Sequence, residues 1–340
     1  MTEAAFPVLG AAFVMLVVLP ACALLAKVAL VALEQGLEGG PLRALRLRYV
    51  LITAASAVPL AWFLSAALHQ IEPGTLVRAC LLDHEAASLC LEPASFAFLL
   101  ATCVMLGVFF SVRGHRTVRE SRTVAAADLR DRIGNLVASR LSLAGLDGRI
   151  IVTDEPGVDA GTVGFLRPRV AIGVDFAATL SDAMLVAALS HEREHVRAFD
   201  PLRYLLLELA LRINPFGRWF LQPHVARWKE AREMHCDREA VLGGAEPLSL
   251  AQALVRAARP APHVAPALGP DNLSILKFRV NLLLAFAEHR PRRRYRDGQA
   301  AIPIAFVLLV IAMFLPHQTG TEALDALHVS IEQAFTSSWH

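Results

Sequence analysis

Four long apolar runs decide what this chain can fold into. Residues 6–33 (FPVLGAAFVMLVVLPACALLAKVALVAL), 50–68 (VLITAASAVPLAWFLSAAL) and 95–112 (SFAFLLATCVMLGVFFSV) are each about as long as the roughly 20 apolar residues that a bilayer-spanning helix needs. A fourth run, residues 300–316 (AAIPIAFVLLVIAMFLP), is at the short end. One soluble domain has too little interior to bury all four, and the composition agrees: 55% of the 340 residues are hydrophobic, more than a soluble enzyme of this size carries. The first run has no basic start and no small-residue cleavage site ahead of a soluble chain, and further spans follow it. It therefore reads as a retained span rather than a removed leader.

Arginine placement orients the four spans, because loops kept in the cytoplasm carry the Lys/Arg excess. Arg43, Arg46 and Arg48 lie between spans one and two, Arg113, Arg116, Arg119 and Arg122 follow span three, and Arg290, Arg292, Arg293, Arg294 and Arg296 precede span four. The loop between spans two and three instead has Glu72, Asp83, Glu85 and Glu92 against Arg78. Every loop points the same way. Both termini are expected outside the cytoplasm. The expected organisation is three spans within residues 1–112, a cytoplasmic domain over 113–298, a fourth span at 299–316 and a short outer tail at 317–340.

The formal charge of +2 selects no partner, and no long basic tract suggests direct nucleic-acid binding. The five cysteines, at 22, 80, 90, 103 and 236, form no CxxC pair and so suggest neither a zinc ribbon nor a dithiol site. Cys80 and Cys90 share the outer loop, where an oxidising compartment permits a disulfide between them or leaves two free thiols. Cys22 and Cys103 lie within spans and read as packing residues.

Chemistry is therefore sought in the inserted domain, which reads as mainly α with an α+β portion. Residues 120–144 read as a helix running on from span three and ending at Gly145. RIIVTD (149–154) and TVGFLRPRVAIG (162–173) are β-branched, apolar and bounded by turn residues, as strands are. Pro168 makes the middle of the second run an edge or a bend, because it cannot donate a ladder hydrogen bond. From Ser181, a reasonable N-cap with Asp182 in the first turn, the pattern is helical until Asp200-Pro201 ends it.

On that helix lies HEREH, residues 191–195. Two His four apart are about 40° apart around a helix, so His191 and His195 can meet one Zn²⁺ from a single face. A carboxylate beside them can take a proton from the hydrolytic water. Glu192 and Glu194 each flank one His by about 60°, so helix geometry does not choose between them. A catalytic zinc also wants a third protein ligand. Downstream, WKEAREMHCDREAVLGG (228–244) is a second helical segment in which Glu233, Cys236, Asp237 and Ala240 share one face and His235 points away from Glu233. Glu233 is thus favoured over His235 as ligand, with Asp237 as an acceptor that orients a ligand. Cys236 can ligate in principle and reads more simply as a small buried residue beside the site.

HEREHVRAFDP (191–201), INPFGRW (213–219) and REMHCDREAVL (232–242) together resemble the BlaR/MecR-type membrane zinc metallopeptidases, the transducers of β-lactam sensing in bacteria. GFLRPRVAIG (164–173) looks like that family's Gly-Leu-x-x-Pro strand, and LSILKFRVNLLL (273–284) like its Lys-x-Arg-Ile helix. The likeness covers roughly residues 110–285. It implies four membrane helices around a zincin-like metalloprotease domain with Zn²⁺ on His191, His195 and Glu233 and with Glu192, rather than Glu194, as base. It also puts Asp237 beside the ligand helix and Asp200 in the Asp-Pro position, where helix termination is the one role the sequence offers.

The β-lactam transducers carry an outer penicillin-binding domain after span four, and residues 317–340 with no SxxK motif cannot form one, so β-lactam sensing does not carry over. The expected function is a regulatory protease that cleaves a cytoplasmic protein, such as a transcriptional repressor, or itself. Two other readings stand beside it: a housekeeping protease similar to the CAAX-processing and heat-shock zinc protease families, which share HExxH and ExxxD, and a membrane signalling protein whose metal is structural or absent. The Asn-Pro stretch ending in Trp219 and the single inserted domain favour the regulatory protease over the second. An intact Glu192 argues against the third, since a structural site needs no base.

Overall fold

A computed structural model describes residues 14–36, 45–69, 101–102, 104–109, 112, 120–121, 123–258 and 270–289. The fourth expected span, the loop with Cys80 and Cys90, the arginine cluster at 290–296 and the tail lie outside the described residues. So does much of the third expected span, which is helical where described.

A π-helical turn, Val14–Val18, leads into α1 (Leu19–Gly36), and α2 is Leu45–His69. Helix α3 (Val124–Ser139) and a 3₁₀ turn (Leu141–Leu143) precede strands β1 (Ile150–Thr153), β2 (Ala160–Val163) and β3 (Arg169–Gly173). Then come α4 (Val174–Ala178), α5 (Asp182–Ala198), α6 (Asp200–Ile213), α7 (Gly217–Leu242), α8 (Pro247–Ala257) and α9 (Pro270–Glu288). The described chain is mostly helical. Met15–Gln35 is, among the described residues, one helix long and apolar enough to cross a membrane.

Two sequence expectations are corrected. The helix expected over 120–144 does not run on from span three. Thr123, in extended backbone, starts it afresh by accepting a hydrogen bond from the Ala126 amide, and it stops at Ser139, because a hydroxyl cap supplies a partner to a first-turn amide only where the chain enters a helix. The run 162–173 is not one strand, and of the two readings that Pro168 left open, edge or bend, the bend is the one found. Gly164, with φ of +88°, and Pro168 turn it into the β2–β3 hairpin, since a left-handed residue and a missing amide end the ladder there. β3 pairs antiparallel with β2 and parallel with β1, giving the order β1-β3-β2.

Three apolar clusters position the site. In the first, α3 (Leu129, Ile133) and the sheet (Val152, Val170, Ile172) pack on α5 through Leu185 and Leu189. In the second, α1 (Ala23, Leu30) and α2 (Leu45, Ile52) pack on α6 (Leu207, Leu211) and on α7 (Leu221, Val225, Trp228). The third joins α5 at Ala187 and α7 at Ala240 and Val241 to Leu250 of α8 and Leu283 of α9. Helices α5 and α7 are thus held against each other from several sides, which removes the freedom that a metal centre between them cannot tolerate.

Candidate metal centre

Ser181 caps α5 by accepting from the Met184 amide, and the helix ends at Phe199, which adopts left-handed backbone (φ 55°, ψ 42°). A left-handed residue reverses the chain within one position, so the sequence expectation for Asp200-Pro201 is met in a different way. Helix α5 stops one residue earlier, and Asp200 opens α6 with Pro201 in its first turn, where a missing amide costs nothing. The reversal returns the Asp200 carboxylate to His195, five residues back, with Nδ1 and Oδ2 2.7 Å apart. His191 and His195 project from α5 with their Nε2 atoms 3.1 Å apart. From α7, Glu233 brings its two carboxylate oxygens to 3.4 Å from His191 Nε2 and 3.5 Å from His195 Nε2. Asp237, one turn further along α7, has Oδ1 2.8 Å from His191 Nδ1.

Each imidazole is therefore backed at Nδ1 by a carboxylate, an arrangement that leaves Nε2 as the lone-pair nitrogen. Two lone pairs facing each other at 3.1 Å repel unless a proton or a cation lies between them. Ligand atoms about 2.0–2.1 Å from a tetrahedral zinc stand about 3.3 Å from one another, close to the 3.1, 3.4 and 3.5 Å found here. His191, His195 and Glu233 can thus hold one metal ion. His195, Asp200 and Cys236 also lie close enough together to hold one, but Arg232 Nε is 2.6 Å from Asp200 Oδ2 and already supplies the positive charge there.

Charge reaches the same result. Asp200 is paired with Arg232 and, at 3.4 Å, with Arg203, and Asp237 is paired with Arg279. Glu233, which Arg279 also approaches at 3.1 Å, is the carboxylate that faces both ligand imidazoles. Burial disfavours a charged imidazole, yet the Asp237 and Glu233 carboxylates push His191 up to about 10. Burial likewise opposes charge on Glu233, and the two imidazoles hold it well below the usual carboxylate range. A metal ion bound here competes with protons on these same groups.

The two glutamates that helix geometry left equivalent differ in their surroundings. Glu194 is 3.2 Å from Arg193 Nη2 and 3.3 Å from Arg197 Nη1. Glu192 instead accepts a 2.9 Å hydrogen bond at Oε2 from the Thr162 hydroxyl of β2. His235 is buried on another face of α7, where desolvation and the nearby Arg232 and Arg238 hold it down at about 3, a neutral imidazole apart from the cluster. Cys236 is buried beside the site, with Sγ 3.6 Å from His195 Nδ1.

Several supporting residues had no assigned part in the sequence reading. Arg279 from α9 donates to both Asp237 oxygens and lies 3.1 Å from Glu233 Oε2. The Tyr204 hydroxyl reaches Glu233 Oε1 at 3.5 Å, and Arg232 also donates to the Glu194 carbonyl at 3.0 Å. The Arg of LKFR carried a motif signal without a role and the Asp of FDP one with helix termination alone, whereas Thr162 and Tyr204 carried none.

No curated protein and no solved structure matches the chain. The family model described as BlaR1 peptidase M56 matches residues 52–264, more than half of the chain and the whole of α5, α6 and α7. With its HExxH helix facing Glu233 across a carboxylate-backed cluster, the chain belongs to the BlaR1 peptidase M56 family.

Proposed function

We propose that this protein is an integral-membrane zinc endopeptidase in which His191, His195 and Glu233 hold the metal and Glu192 is the general base. The observation that carries the reading is the convergence of the two Nε2 atoms and the Glu233 carboxylate, with Asp200 and Asp237 behind the imidazoles. A zinc ion held there supplies a Lewis acid that polarises a scissile carbonyl and brings the pKa of water towards neutrality. The residues do the remaining work. Asp200 and Asp237 fix the tautomer and orientation of the ligand imidazoles. Glu192, kept in place by Thr162 and not neutralised by the arginines that engage Glu194, accepts the proton of the attacking water and returns it to the leaving amine. Strand β2 has a neighbour on one side among the described residues, so its other edge suits an extended substrate backbone running past Glu192.

The arginine distribution supports four spans with the peptidase domain on the cytoplasmic side of a bacterial plasma membrane, and hence a cytoplasmic protein substrate. A transcriptional repressor, the protein itself, or both fit the family's regulatory character. The test is metal content and proteolysis measured on the same membranes. Glu192→Gln is expected to keep one zinc per chain while self-cleavage or cleavage of a co-expressed repressor falls at least ~10²-fold. Unchanged cleavage in that variant would sink the mechanism.

A further inference from the structure

We propose that the α6–α7 hairpin is itself inserted in the bilayer beside α1 and α2, with Asn214 at its tip level with Leu19 and with Trp219 facing lipid within the depth of α1. The proposal rests on α1 being a bilayer span. It departs from the sequence expectation that everything between residues 113 and 298 lies in the cytoplasm.

Contacts between α1 and the α7 region step along both in the same direction. The Asn214 side-chain amide donates to the Leu19 carbonyl at 2.6 Å, the Lys27 ammonium is 5.7 Å from the Phe220 ring, and Glu34 meets His224 at 3.3 Å and Arg227 at 2.5 Å. Helix α6 runs likewise beside α2, the Ser56 hydroxyl donating to the Ala210 carbonyl at 2.9 Å. Leu19 to Glu34 is about 22 Å of helix at roughly 1.5 Å per residue, against a hydrocarbon layer of about 30 Å. Whatever depth α1 occupies, the hairpin shares it.

Helix α1 presents Leu24, Leu25 and Val28 on an exposed face, while its Ala23, Ala26 and Leu30 are covered by α2, α6 and α7. The join has the character of membrane packing: small residues (Ala23, Ala26, Ala55) and polar side chains that satisfy backbone carbonyls between helices. The α6–α7 turn is tight at Gly217, where a Cβ would come within 3.1 Å of the Leu211 carbonyl. Glu208, in the middle of α6, is neutralised by Arg212 at 2.9 Å and Arg218 at 3.5 Å. Beside them Trp219 is 76% exposed, next to Phe220, which lies level with Lys27, so its ring is placed to face lipid alongside α1. Since α6 begins at Asp200 and α7 carries Glu233, the metal centre then sits at the inner mouth of a membrane-inserted hairpin.

The test uses the full chain in phosphatidylcholine/phosphatidylglycerol vesicles, with native cysteines replaced and a nitroxide placed in turn at residues 25, 219 and 248. Oxygen and a water-soluble nickel complex report lipid and water. Position 219 is expected to resemble 25, with an oxygen-to-nickel collision ratio severalfold above that at 248 on α8. A ratio at 219 equal to that at 248 overturns the proposal. Low collision with both probes also overturns it, because another protein surface then covers that position. Water exposure at 25 removes the span itself and the membrane reading with it, whereas lipid at 25 and water at 219 removes this inference alone. A second measurement needs no cysteine replacement: brominated lipid should quench the native protein more than Trp219→Phe, and equal quenching counts against insertion.

Discussion

Arg279 grips both oxygens of Asp237, Nε 2.7 Å from Oδ2 and Nη2 2.8 Å from Oδ1, from a helix that lies beyond residues 52–264 matched by the family model. Asp237 in turn faces His191, and the same guanidinium reaches Glu233. One side chain of α9 thereby orients groups on both helices of the centre, and a planar fork is the chemistry that suits a carboxylate held by two bonds.

Loss of that fork is expected to weaken metal binding. Arg279→Gln should lower zinc affinity about 10–100-fold, the usual cost of removing a partner behind a ligand. Arg279→Lys keeps the charge without the paired geometry and should fall between. Lys277→Gln, on the exposed side of the same helix, should bind as the wild type does. Chelator competition on the full-length protein measures all three, and wild-type affinity in Arg279→Gln would reduce α9 to a packing element.

Asp200 carries more than its place in an Asp-Pro turn. Asp200→Asn should loosen His195 and lower zinc affinity about 10–100-fold. The same change leaves Arg232, itself 4% exposed, without its carboxylate, and an uncompensated buried charge costs about 3–5 kcal/mol. Metal titration and a thermal midpoint separate the two effects. A variant that keeps both at wild-type values contradicts this role.

The third ligand is open to a direct comparison. Glu233→Ala should empty the centre, whereas His235→Ala should keep the metal because His235 stands apart from the cluster. Metal analysis of purified protein decides it, and an empty site in His235→Ala alone would move the ligand assignment.

Thr162 is expected to act through Glu192 rather than on the metal. Thr162→Val removes the 2.9 Å hydrogen bond at nearly constant size and should reduce turnover while zinc content stays at the wild-type level. Thr162→Ser keeps the hydroxyl and should restore most activity. Equal loss in both variants would point to packing of β2 instead.

Much of the centre was legible from local spacing. A helix period puts His191 and His195 on one face and Glu233 and Asp237 on another, and both pairs come from single helices, α5 and α7. Capping by Ser181 is local too. Elements whose ends depend on competing partners were harder to read: Thr123 cuts off a helix that apolar patterning would have extended, and Gly164 with Pro168 folds a single β-branched run into two strands.

By itself, then, the sequence determined the apolar runs, the HExxH helix, the shared face of Glu233 and Asp237 and the arginine asymmetry, because each is a periodicity or a composition within one segment. Tertiary structure decided which Glu beside the histidines is engaged by arginines, that Asp200 backs His195, that Arg279 braces Asp237 and that α6 and α7 lie along α1 and α2. Those relationships join residues far apart in the chain or across a left-handed turn at Phe199. They arise only when burial of apolar faces brings separate helices together and each buried charge must find its counter-charge there.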